Sequence, residues 1–117
     1  MGVSAEQRDA MLMVGRLFAQ HGFAERAIRI MAALDVIHPA DPDTLRGLAW
    51  AHFKAGQPQQ ALSALDRLAQ QAQVDGGFHL LRTQVLAQLE RHEEAATSMR
   101  AYLDSLATEV PKVTAKA

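Results

Sequence analysis

A chain of 117 residues suits one domain with a modest core, or a short stack of repeated units, and hardly two independent domains. Twelve Lys and Arg against thirteen Asp and Glu nearly cancel, which removes the strong field that would gather nucleic acid or an anionic membrane surface. With no cysteine, neither a disulfide framework nor a cysteine-based metal site is available, and a reducing compartment, the cytoplasm, is the expected location.

The opening MGVSAEQRDA has neither the basic nor the apolar region of a signal peptide, and no apolar run approaches the roughly 18 residues needed to span a bilayer. A soluble protein with no direct membrane insertion is therefore expected. β-Branched residues are few and no alternating pattern occurs, so the chain reads as all-α, with helices over about 4–21, 24–37, 42–55, 58–73, 76–90 and 92–107, labelled α1 to α6.

Ser4 followed by Gln7 forms a capping box for α1. Within α1, Met11, Leu12, Met13 and Val14 run consecutively, then Leu17 and Phe18, which is more apolar circumference than one neighbouring helix can bury. The phrase HGFAERA, with Gly22 relaxing the backbone, turns α1 into α2, and Pro39 closes α2 because its ring cannot continue a helix. Asp41-Pro42-Asp43 supplies α3 with a cap, a first-turn proline and an acid at the positive helix end. Gly56 makes the next turn, and Pro58 opens α4, where its missing N–H would have had no helical partner. Asp75-Gly76-Gly77 separates α4 from α5, LERHEEA leads into α6, and TEVPKVTAKA over 108–117 is expected to be a mobile tail.

These turns recur with a fixed period. Ala27, Ala61 and Ala95 are spaced by two intervals of 34 residues, and the same phase aligns Gly15 with Ala49 and Thr83, Met31 with Leu65 and Met99, and Leu34 with Leu68 and Tyr102. Small residues where paired helices cross let the axes approach to about 8 Å, which bulky residues would prevent. The pattern resembles the tetratricopeptide repeat over about residues 8–108. That resemblance implies three stacked antiparallel helix pairs in a right-handed superhelix, forming one domain over 1–107 with units at about 8–41, 42–75 and 76–107. Two departures stand out: Glu90 replaces the turn glycine of the third unit, and the aromatic expected early in each first helix is absent.

In the tetratricopeptide pattern the phase assigns to the concave face Leu12, Arg16 and Ala19 of α1, Arg46, Trp50 and Phe53 of α3, and Leu80, Gln84 and Ala87 of α5. Trp50 and Phe53 are three apart on one helix side and make up a third of the six aromatic residues. An aromatic that buries about 150–250 Å² at about 25 cal/mol/Å² contributes on the order of 4–6 kcal/mol before ordering costs. Two readings stand for Trp50: a partner-binding groove, or packing between α1 and α5. Arg16 and Arg46 either clamp a partner's carboxylate or are simply solvated. Met31 and Met99 are expected in the core, while Met11 and Met13 suit an adaptable surface. After α6 there is no room for a polar capping helix, so Met99, Leu103 and Leu106 call for a cover from a partner, from self-association when the partner is absent, or else the last turn frays.

No catalytic constellation emerges. Of His21, His38, His52, His79 and His92, no two are three or four residues apart, so none share a helical face as metal ligands would, and no phosphate loop or nucleophile elbow occurs. The expectation is a non-enzyme with no cofactor, no metal and no nucleic acid partner.

The start EQRDAMLMVGRLFAQHGFAERAIRIMAALDVIHP and the ending HEEAATSMRAYLDSL resemble a narrower family, the small tetratricopeptide-type chaperones of bacterial type III secretion, the YscY type above all. The resemblance implies a cytoplasmic bacterial chaperone, a virulence component. It would pair with a small secreted partner of the YscX type and help present it to the export gate, the YscV-type component. Chaperones of translocator or needle subunits share the helical-repeat design. A general scaffold gripping a C-terminal carboxylate would want Lys and Asn early in α1 and α3, where this chain has Leu12, Arg16 and Trp50.

Overall fold

The computed structural model describes residues 2–109. Six helices follow in order: α1 Ala5–Gln20, α2 Ala24–Ile37, α3 Pro42–Lys54, α4 Pro58–Gln70, α5 Gly76–Gln88 and α6 His92–Glu109. No strand occurs among the described residues. The tail expected over 108–117 lies outside the described residues from 110 onward, and α6 continues to Glu109. The chain divides into two compact units, 1–73 and 74–117. The first holds the hairpins α1/α2 and α3/α4, the second the hairpin α5/α6.

The helix starts follow side-chain chemistry. Gln7 N–H donates to Ser4 Oγ while Ser4 N–H donates to Gln7 Oε1, a complete capping box. Asp41 accepts from the Thr44 N–H and hydroxyl, and Asp75 accepts from Phe78 N–H. Pro42 and Pro58 both stand in first turns, where no N–H is needed. Gly76 and Gly77 lie in the first turn of α5, in keeping with a helix read from 76, because the Asp75 cap starts the helix ahead of them.

The helix ends share one device. After α1, α3 and α5 the chain turns left-handed at Gly22, Gly56 and Glu90, with φ of 90°, 74° and 59°. The following N–H then reaches back to the carbonyl five residues earlier: Phe23 to Phe18, Gln57 to His52 and Arg91 to Leu86, at 2.7, 2.9 and 2.9 Å. This is the Schellman closure of a helix. Glu90 adopts it without a glycine, so the third turn keeps the geometry of the first two despite the departure in its sequence. Ala72, at φ 59°, closes α4 in the same way and ends it at Gln70 rather than near residue 73.

The small-residue columns sit at helix crossings. Ala27 and Ala61 are fully buried and Ala95 nearly so. In the first unit, Met31 of α2 lies between two glycines. A Cβ built on Gly15 of α1 would come within 2.5 Å of Met31 Cε, and one on Gly47 of α3 within 2.6 Å. Met99, in the same phase, is 37% exposed, so the expectation that it is core does not hold. Thr83 of α5 stands in the third hairpin where Gly15 of α1 stands in the first.

A polar pair outside the phased columns ties α2 to α4. Arg67 donates twice to Asp35, at 2.7 and 2.9 Å, and Ala40 N–H donates to the same carboxylate at 3.0 Å. The Arg67 guanidinium, aided by the Ala40 N–H, holds the Asp35 carboxyl below the usual carboxylate range against the opposing effect of partial burial.

Candidate protein-interaction site

In the first unit, α1 and α3 leave an open furrow between them. One hollow of about 390 Å³ is lined by Arg16 and Gln20 of α1 with Arg46, Gly47 and Trp50 of α3. A second, of about 300 Å³, is lined by Asp9, Leu12, Met13, Arg16 and Leu17 of α1 with Asp43 of α3. Arg16 lines both, which makes them parts of one furrow.

Trp50 forms its apolar wall. The indole is half-buried, packed against a core cluster of Ala19, Ala27 and Ala51. Phe53 lies 5.9 Å from it, ring centroid to centroid, and the Lys54 ammonium is 5.3 Å from the indole centroid. A tryptophan held from below, beside and above keeps one orientation, so little entropy is lost when a ligand covers its remaining surface. Arg46 is oriented by Asp43 at 3.5 Å and by Gln73 Oε1 at 3.5 Å. Arg16 is exposed. The furrow therefore has acids toward the N-terminal ends of its two helices, guanidinium groups further along, and an indole beyond them.

Three of the nine residues assigned from the repeat phase, Arg16, Arg46 and Trp50, meet at one hollow, and Phe53 abuts the indole. Ala19 is a correction: it is 1% exposed and belongs to the core, while Leu12, 5% exposed, borders the second hollow from the core side. The reason is rotational. Leu12, Gly15 and Ala19 form the buried side of α1, and the open wall is turned from it toward Met13, Arg16 and Gln20. Leu80, Gln84 and Ala87 lie on α5 in the second unit, the first half-buried and the other two exposed. Asp9, Gln20, Asp43 and Gly47 were missed. The surplus of apolar residues on α1 did point to Met13 and Leu17, which are 63% and 48% exposed.

The histidines take structural places. His21 and His38 follow the last turns of α1 and α2, and His92 begins α6. His52 Nδ1 pairs with Gln57 Oε1 at 2.8 Å, and His79 meets the Phe78 ring edge-on at 5.3 Å. Among the described residues, no group of three His, Cys, Asp or Glu side chains could hold a metal, and no helix is long and apolar enough to cross a membrane.

No curated protein matches the chain closely enough to show a relationship. The tetratricopeptide repeat family matches residues 18–85, more than half of the chain and the stretch that contains α2, α3 and α4 whole. With six helices paired as hairpins, a 34-residue phase and alanines at the crossings, the chain belongs to the tetratricopeptide repeat family, whose modules bind other proteins and are typically non-catalytic.

Proposed function

We propose that the protein is a polypeptide-binding chaperone whose furrow between α1 and α3 receives an amphipathic segment of its partner. The observation that carries this reading is the meeting of Trp50, Arg16 and Arg46 around one open hollow. An apolar side chain of the segment covers the indole, and a carboxylate on the next turn pairs with Arg16. Ordering of the segment on binding keeps the affinity moderate and the complex reversible, as suits a chain that must later be handed on.

At finer grain, we infer a bacterial type III secretion chaperone of the YscY type, working in the cytoplasm on a small secreted partner of the YscX type and delivering it to the YscV-type export gate. Support comes from the resemblance of residues 6–39 and 92–106 to that family. A single binding domain over 1–107, with Leu80, Gln84 and Ala87 as partner-binding residues of α5, is part of the same reading.

The test is co-purification of the chain with the candidate partner, followed by identification of the bound protein by mass spectrometry. Trp50→Ala with Phe53→Ala should abolish the complex while helical content stays near wild type. An undiminished complex with intact folding would overturn the furrow. Recovery of a translocator or needle subunit would overturn the YscX-type assignment alone.

A further inference from the structure

Met13 and Leu17 of α1 stand one 34-residue period before Gly47 and Ala51 of α3. In α3 those two positions form the seam with the first hairpin. Gly47 receives the Met31 thioether of α2 against its Cα, and Ala51 clusters with Ala27 of α2 and Ala19 of α1. Leu48 beside them is buried, whereas its counterpart Val14 on α1 is 43% exposed. The helices packed on α1 are α2 and α3, which meet it through Gly15 and Ala19. On α1, the face that α3 buries against a hairpin is thus repeated in register and left open.

We propose that this face docks one α-helix of another polypeptide, seated on α1 as α2 is seated on α3, with Ala or Gly at two positions four apart, opposite Leu17 and Met13. The register sets the occupant's side chains. In the α2/α3 seam the large residue, Met31, belongs to the docking helix and the hole, Gly47, to the receiving one. A Cβ alone at Gly47 would stand 2.6 Å from Met31 Cε. On α1 the receiving position carries a whole methionine, so knob and hole are exchanged and the docking helix must supply the hole. A second copy does not fit this requirement: its corresponding helix, α6, carries Ala95 and then Met99, which would bring two thioethers to one place. The face is also continuous with the furrow, since Met13 and Leu17 line the hollow that holds Arg16. One partner can therefore fill the furrow and turn over the edge of α1. The docking surface shares Met13 and Leu17 with the α1 wall of the furrow and goes beyond it to Val14, so it is set apart from the Trp50 end by the variants below.

The probe is a hydrocarbon-stapled helical peptide of residues 24–37 carrying M31A, titrated into the full-length chain labelled at methionine methyl groups. The Met13 resonance should shift to saturation, and the same peptide with its methionine intact should bind about tenfold more weakly. In a chain carrying Met13→Gly the preference should reverse in favour of the intact peptide. Leu17→Asp, at an exposed position, should weaken the M31A peptide about tenfold with the circular dichroism of the chain unchanged. Trp50→Ala should leave this binding untouched, which separates its failure from that of the furrow. An unmoved Met13 methyl, equal binding of the two peptides, or a concentration-dependent dimer dissolved by Leu17→Asp would overturn the proposal.

Discussion

Asp35 and Arg67 are 32 residues apart in sequence and joined by two hydrogen bonds of 2.7 and 2.9 Å, a fork-to-fork pair that fastens α2 to α4 inside the first unit. Arg67 keeps 40% of its side chain in water, so solvent screens the pair and Asp35→Asn is expected to cost about 1 kcal/mol. Its pH dependence has a definite sign. The folded carboxyl titrates below its unfolded value, so the contribution is fully present above about pH 4 and is lost as pH falls through the lower folded value. Urea melts of the wild type and variant from pH 7 to pH 2, followed by Trp50 fluorescence, should show a gap that closes at the acid end. A gap independent of pH would contradict the assignment.

Of the two glycines around Met31, Gly47 meets more of the thioether. Alanine there gains about 1 kcal/mol of helix propensity, yet its methyl would stand 2.6 and 2.7 Å from Met31 Cε and Sδ, and Gly15 limits retreat on the other side. Gly47→Ala is expected to destabilise the first unit by about 1–2 kcal/mol net. Gly15→Ala meets only the far end of the thioether at under 3 Å and should cost less. The decisive comparison is a double-mutant cycle: Met31→Ala should be less harmful in the Gly47→Ala background than in the wild type. Additive effects would show that the two residues do not share one space.

Glu90 pays the left-handed cost that Gly22 and Gly56 avoid. Relief of about 1–2 kcal/mol in the folded turn, less the extra entropy of a glycine in the unfolded chain, makes Glu90→Gly stabilising by about 0.5–1 kcal/mol. Thermal melts by far-ultraviolet circular dichroism check this, with Gly56→Ala as the opposite control, expected to be destabilising. A lower melting temperature for Glu90→Gly would mean that the side chain contributes more than its backbone strain costs.

The helices were legible because their boundaries are written in local chemistry. Ser4, Asp41, Pro42 and Pro58 each act through neighbours within a turn, and the spacing of Ala27, Ala61 and Ala95 reports the crossings directly. Arg16, Arg46 and Trp50 were legible as neighbours around one hollow because the repeat phase gives the direction in which each points. Ala19 was misplaced because a phase rule resolves a helix into faces, whereas the buried side and the furrow wall of α1 differ by one residue step, about 100°. The Asp35–Arg67 pair lies off every column, and its two members have no local signal in common. Met99 fails for a related reason: phase identifies equivalent positions, while burial depends on the neighbours each position meets.

A partner chain docked in the furrow would cover Trp50, the only tryptophan in the protein. The most direct measurement is its emission and acrylamide quenching as a tryptophan-free purified partner is titrated in, with binding followed independently by calorimetry. A blue shift and reduced quenching that saturate with the calorimetric isotherm are expected. Full calorimetric binding with the emission and quenching of Trp50 unchanged would contradict docking in the furrow.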